Sequence, residues 1–401
     1  MISHSVPFSP MHGLASLGAG GLSVSFFIWL MFLTPHPGIP VPTYESLALA
    51  SAASTHGNWI LVAQCAIAIF AIIHLALLVW WLRKPSTLPQ DQRLSLYAGE
   101  AHVNRMIIPL ILAMSVNVLF IVGLVFVPGL WSAREMLFPF ALLALVVLLV
   151  VALHRWVSQV KLVKSGNLSY ANKGLIELLA TFAFAMIAVG FSASAAMSQT
   201  PWVHTTGFVL SVITAGLAII AGVLVMIGRV ANLRQGKIAA TATGSLLMAV
   251  PIATVLGIAA YRLMMANNHY FAGSIDSNAV MLVLGGFFGF QLIVFMLGIP
   301  VILRTGGWKE LVHDKPQAAS FSLICPGVGI FVMGMFFVSH GLVANQVISG
   351  AGATLAYSLL GLVQLLTVVL FAYLLLTGLP RDEAVKLTGS QSGAASVVSQ
   401  R

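Results

Sequence analysis

The sequence predicts an all-α polytopic membrane protein of ten transmembrane helices, on three observations. Charged residues make up 7% of the chain and hydrophobic ones 59%, whereas a water-soluble domain usually carries roughly 25% charge. Apolar runs of about 20 residues, each long enough for a hydrocarbon core of ~30 Å, recur from end to end. Basic residues gather in every second loop between those runs.

The runs fall at 13–33, 58–82, 106–127, 136–154, 175–197, 205–228, 239–265, 279–303, 319–344 and 353–378, numbered spans 1 to 10. They are expected to be helices, because lipid offers no partner to an open backbone. None alternates with the two-residue period of a barrel strand. Span 1 is long for a signal sequence and no A-x-A-like site follows it. The expected organisation is a short N-terminus (1–12), one transport domain (13–380) and a polar, disordered tail (381–401).

Charge sets the orientation. Seventeen of the 19 Lys and Arg residues lie in the loops after spans 2, 4, 6 and 8 and in the tail; only Arg134 and Arg262 fall on the other side. The positive-inside rule then places both termini in the cytoplasm of a bacterial inner, or plasma, membrane. The net charge of +9 does not point to nucleic acid, since it forms no basic stripe. Cys65 and Cys325 both lie in apolar runs, which argues against a disulfide framework or a zinc site. The long external loop 34–57 carries Pro35, Pro37, Pro40 and Pro42 and should be extended or turn-like. It caps the outer mouth, where its His36, Glu45 and His56 either meet a solute or are simply solvated.

The spans differ by parity. Spans 2, 4, 8 and 10 are greasy all round, as in FPFALLALVVLLVVAL at 138–153, and span 6 is intermediate. Odd spans carry small and polar residues: GLASLGAGGLSVSFF in span 1, AVGFSASAAMS in span 5, ATATGSLLMAVPIATVLG in span 7, SFSLICPGVGIFVMGMFF in span 9. Pro109, Pro251 and Pro326 sit at similar depths in spans 3, 7 and 9 and are expected to kink them. Their spacing suggests five copies of an α-hairpin of about 70–75 residues, an internal repeat of the kind common in transporters. Kinked, polar helices should face inward, giving an inner ring of odd helices around a central pathway and an outer ring of even helices. Small residues can equally serve close helix packing.

Ten spans, cytoplasmic termini, five hairpins and proline-kinked odd helices resemble the tellurite-resistance/dicarboxylate-transporter family, which includes the plant slow anion channels. The resemblance covers residues 11–380 and rests on architecture. It implies a five-hairpin bundle, often a homotrimer, with a central anion pore. It also implies a plug directly before the proline of span 9. The family has phenylalanine there and this chain has Cys325 before Pro326. A thiol is too small to fill such a pore, so Phe336, about three turns further on the same face, becomes the expected plug.

Helical spacing marks the candidate pore-lining residues. They are Ser16, Gly20, Ser23 and Phe27 in span 1, Pro109 in span 3, and Thr181 and Ser192 in span 5. Span 7 adds Pro251 and Thr254; span 9 adds Cys325, Pro326, Gly329, Phe336 and His340. Hydroxyls and exposed backbone there could replace part of an anion's hydration shell without trapping it. Among intramembrane ionisable groups, His74, Glu177, His340 and Arg262 mark pathways by default. Arg262 could equally snorkel to the interface, and His74 could be a satisfied structural histidine.

The expected function is therefore transport of a small inorganic or organic anion, as a channel or secondary transporter, with the bilayer as the other partner. The alternative is a membrane haem or metal-binding redox protein, raised by eleven histidines including His12, His102 and His154. No haem-attachment site, nucleotide fingerprint or zinc-protease motif occurs, so neither an enzyme nor a bound cofactor is expected.

Overall fold

The computed structural model describes residues 7–53, 57–167, 174–234, 239–271, 273–274, 276–314 and 316–380. His56, Lys173, Lys237, Lys315 and the tail 381–401 lie outside the described residues. The described residues contain helices and no strand. Among the described residues, ten helical stretches are long and apolar enough to cross a membrane: Pro10–Leu33, Asn58–Thr87, Gly99–Phe126, Arg134–Lys164, Leu178–Met197, Pro201–Arg229, Ala240–Tyr270, Ser277–Arg304, Ala318–Val343 and Gly350–Thr377. They are spans 1 to 10 in order.

Span 4 is longer than its apolar run. Its helix has 31 residues, about 46 Å at 1.5 Å per residue, against a hydrocarbon core of ~30 Å. The excess holds Arg155, Lys161 and Lys164, so hydropathy sees only the part that meets lipid.

The prolines of spans 3, 7 and 9 do not kink long α-helices. Each is the third residue of its α-helical segment, and a 3-10 segment runs into that segment. Gly99–Met106 precedes Ile107, Ala240–Met248 precedes Ala249, and Ala318–Leu323 precedes Ile324. In the first turn a proline's missing N–H is not needed. The joint between 3-10 and α-helix lies just before each proline. At Pro109 the carbonyl four residues back, on Arg105, accepts a hydrogen bond from an Arg155 guanidinium N–H (2.5 Å). Span 1 starts with a shorter 3-10 turn, Pro10–His12.

Burial alternates along the chain. In the most apolar stretch of each odd span 56–94% of residues are buried, against 17–33% in the even spans. Every odd span packs on the even span that follows it, and also on the next odd span, with span 9 returning to span 1. Each even span additionally touches the next odd span.

Buried polar side chains fasten even spans to odd ones. His74 of span 2 meets Ser16 Oγ of span 1 (3.0 Å) through Nδ1 and Ser115 Oγ of span 3 (2.9 Å) through Nε2. Gln291 of span 8 donates through Nε2 to Val250 O (2.9 Å) and Thr254 Oγ1 (2.6 Å) of span 7. Gln364 of span 10 accepts from Trp29 Nε1 (2.6 Å) and donates to Ser25 Oγ (2.8 Å), both in span 1. These three residues lie 217 and 73 positions apart, three steps and one step of a unit of about 72–73 residues. Such interhelical bonds stabilise by roughly 0.6–1.7 kcal/mol each.

The start of span 1 meets the ends of spans 2 and 10. Trp81 Nε1 donates to Pro10 O (2.9 Å), and His12 Nε2 lies 3.2 Å from Gly378 O. In the loop, helix forms only past the last proline, over Tyr44–Ala53. Glu45 pins it by accepting from the Gly129 N–H (2.6 Å) between spans 3 and 4. That bond holds the Glu45 carboxyl below its ordinary pKa.

Candidate functional site

One cavity of about 130 Å³ is lined by all five odd spans, by Val41 of the loop between spans 1 and 2, and by no residue of an even span. Span 1 contributes Leu17, Gly21, Val24, Phe27 and Met31; span 3 contributes Met114, Asn117 and Phe120. Span 5 contributes Phe182, Met186, Val189 and Ala193, and span 7 Pro251, Thr254, Ile258 and Arg262. Span 9 contributes Cys325, Val328, Gly329, Val332 and Phe336. The wall is mostly hydrocarbon, aromatic ring and thioether.

Spans 7 and 9 can close the wall because Gly329 lacks a side chain. A Cβ there would stand 2.7 Å from Thr254 Oγ1 and 3.3 Å from Pro251 Cα. Thr254 cannot retreat freely: its hydroxyl donates to Val250 O (3.1 Å) while Gln291 donates to it.

Six of the fourteen expected lining residues border this cavity: Phe27, Pro251, Thr254, Cys325, Gly329 and Phe336. The other eight do not. On span 1 the face carrying Ser16, Gly20 and Ser23 turns to span 2. Ser16 meets His74, Ser23 Oγ donates to Ile67 O (3.0 Å), and Gly20 lies against His74 and Met114. These residues are small and polar because they fit a neighbouring helix. Pro109 and Pro326 are buried in the first turns of their helices, off the cavity. Ser192 Oγ donates to Val189 O (2.8 Å) within its own span. Thr181 faces an apolar groove against Gly222 of span 6. His340 lines a second space, next to the loop between spans 1 and 2.

That vestibule is lined by Pro35, His36, Pro37 and Pro40 of the loop together with Tyr261, His340 and Tyr357. Tyr261 Oη lies 3.1 Å from His340 Nε2. Phe336 stands between cavity and vestibule, its ring 5.1 Å from Phe32, 5.7 Å from Tyr261 and 6.0 Å from His340, centre to centre. Regular α-helix ends at Phe336, and Phe337–Val343 continues as a π-helix, a form that concentrates at functional sites.

The charge in the cavity is Arg262. A guanidinium N–H donates to Val189 O (3.1 Å) across the cavity wall. No described carboxylate pairs with it. Glu45 serves Gly129, Glu135 serves Ser198, Gln199 and Thr200, and Glu177 pairs with Arg229 at 2.5 Å. Asp276 caps span 8 and Asp314 meets His313. Asp91, Glu100 and Glu310 are exposed. Arg134, the other basic residue outside the loops that follow even spans, stacks on Trp131 (4.4 Å) beside Glu135 (3.4 Å). Of these two residues, Arg262 lines the cavity with no described carboxylate as partner, while Arg134 has Glu135.

Spacing missed Asn117 and most of the apolar wall. The amide was visible as the one strongly polar residue in LILAMSVNVLF. An apolar residue facing a cavity carries no sequence mark that separates it from one facing a neighbour. His74, read from the sequence as either a pathway residue or a satisfied structural histidine, has both ring nitrogens engaged by Ser16 and Ser115.

No family model, curated protein or solved structure matches the chain.

Proposed function

We propose that the chain transports a small anion across a bacterial inner, or plasma, membrane, as a channel or secondary transporter. The pathway runs along the axis of an inner ring of odd spans, each paired with an even span as one of five hairpins. The closed circuit of contacts among odd spans and the alternation of burial support that arrangement. The same architecture supports kinship with the tellurite-resistance/dicarboxylate-transporter family, and the loop charges support cytoplasmic termini.

The observation that carries the reading is Arg262 in the cavity. A guanidinium in a largely apolar space is costly unless a negative charge compensates it. Among the described residues the protein supplies none, so a transported anion fits the role. One bond to a carbonyl orients the side chain without neutralising it.

The test is anion uptake by proteoliposomes containing purified protein. Arg262→Gln should cut uptake by at least about tenfold and Arg262→Lys should keep much of it, since one unit of charge in a low-dielectric path changes the barrier by several kcal/mol. Asn117→Asp should also suppress uptake by adding a fixed negative charge to the wall. Unchanged uptake in the folded Arg262→Gln protein would refute the assignment.

A further inference from the structure

We infer that the cavity selects monovalent organic anions with an apolar body, such as a small aromatic or aliphatic carboxylate or sulfonate, over dianions and over small, strongly hydrated ions. This rests on the anion-transport reading and names its substrate class.

Charge count comes first. The cavity holds one cation, Arg262, and one anionic charge matches it. A dianion would bring a second charge into a space with nothing to compensate it, and the cost of burying charge rises steeply with charge.

Hydrogen-bonding capacity comes second. A chloride or sulfate must exchange its water shell for protein donors. Thr254 has spent its hydroxyl proton on Val250 O. Asn117 gives one amide N–H to Ala113 O (3.0 Å) and faces the Met186 sulfur. Cys325 offers only a weak S–H donor. Arg262, already donating once to Val189 O, is left as the main donor. A compact anion would lose most of its hydration without replacement.

Shape and wall chemistry come third. Phe27, Phe120, Phe182, Met114 and Met186 line the space with aromatic rings and thioethers. These groups favour an apolar or aromatic body through burial, dispersion and sulfur–ring contacts. The volume of about 130 Å³ is close to the ~150 Å³ of a dry protein cavity that holds benzene. Arg262 takes the head group and the remaining wall takes the body.

The test pairs two probes that share one ring and differ in charge, benzenesulfonate and benzene-1,3-disulfonate. Both stay ionised, so neither crosses lipid unaided as a neutral acid. Uptake into proteoliposomes is measured for both and for chloride and sulfate, with protein-free vesicles as the blank. Binding to the detergent-purified protein is measured in parallel by thermal shift. Benzenesulfonate should exceed each of the other three by at least about tenfold in uptake or apparent affinity. Arg262→Gln should remove that preference, leaving benzenesulfonate no better than neutral benzyl alcohol in the thermal-shift assay, while Arg262→Lys retains it. Disulfonate, sulfate or chloride matching benzenesulfonate would overturn the inference and leave anion transport standing. No uptake or binding of any of the four would overturn the anion-transport reading and the inference with it.

Discussion

Phe336→Ala is the perturbation that separates a gate from a packing residue. The ring is 2% exposed and lines the cavity, wedged among Phe32, Tyr261 and His340 on the side of the vestibule. A buried Phe→Ala change typically costs 3–5 kcal/mol. Because one side of this ring already faces open space, the lower end, about 3 kcal/mol, is expected here. Phe331 is the matched control: it is fully buried, 5.4 Å from Trp29 and off the cavity. Phe331→Ala should cost toward the upper end, about 5 kcal/mol. The two changes should differ in the opposite order in leak. An apolar ring that forces a permeating ion to shed water imposes a barrier of order 3 kcal/mol, so its removal raises basal leak by roughly two orders of magnitude. Both quantities are read on one preparation, melting temperature in detergent and ion leak in proteoliposomes. A stable, non-leaky Phe336→Ala protein, or equal leak from Phe331→Ala, would refute the gate and move the search to Phe27.

Three further outcomes follow from the same structure. Gly329→Ala should lower the melting temperature, because its Cβ would press on Thr254 Oγ1, which Gln291 holds, and on the span 7 backbone at Pro251; overpacking of this kind costs about 1–3 kcal/mol. Glu45 has its carboxyl pKa lowered by the Gly129 N–H, so its contribution to holding the loop is full above the ordinary carboxylate pKa and is lost as pH falls through the lower folded value. Hydrogen exchange across Tyr44–Ala53 should accelerate relative to span 3 on acidification, and Glu45→Gln should remove most of that pH dependence. Reporter fusions after Ser165 should read cytoplasmic and insertions in the 34–57 loop external; a cytoplasmic signal from that loop would break the proposed orientation.

The helical segments were legible in the sequence because lipid leaves the backbone little choice: each apolar run of sufficient length becomes a helix, and all ten do. Parity was legible for a related reason. Helices that meet other helices on every side need small residues, while helices that meet lipid need only grease, and spans 5 and 8 show the two extremes of burial, 94% and 17%. The prolines were legible as breaks, but not that each would sit third in its helix, because a 3-10 approach leaves no periodic signature in so short a segment.

The rotation of each odd helix about its own axis belonged to the tertiary structure alone. Ser16 and Ser23 read as pathway residues by spacing and became partners of span 2, since a hydroxyl suits a neighbouring histidine or carbonyl as well as it suits an ion. Arg262 could have snorkelled; that its guanidinium donates to Val189 O depends on how span 7 packs against span 5, which is a tertiary outcome. The cavity wall was the least legible feature, for the same reason. Leu17, Val24 and Met186 have the same chemistry whether they face a neighbour or a void, so composition marked the odd spans as those that pack on other helices, and only their packing decided what space they leave between them.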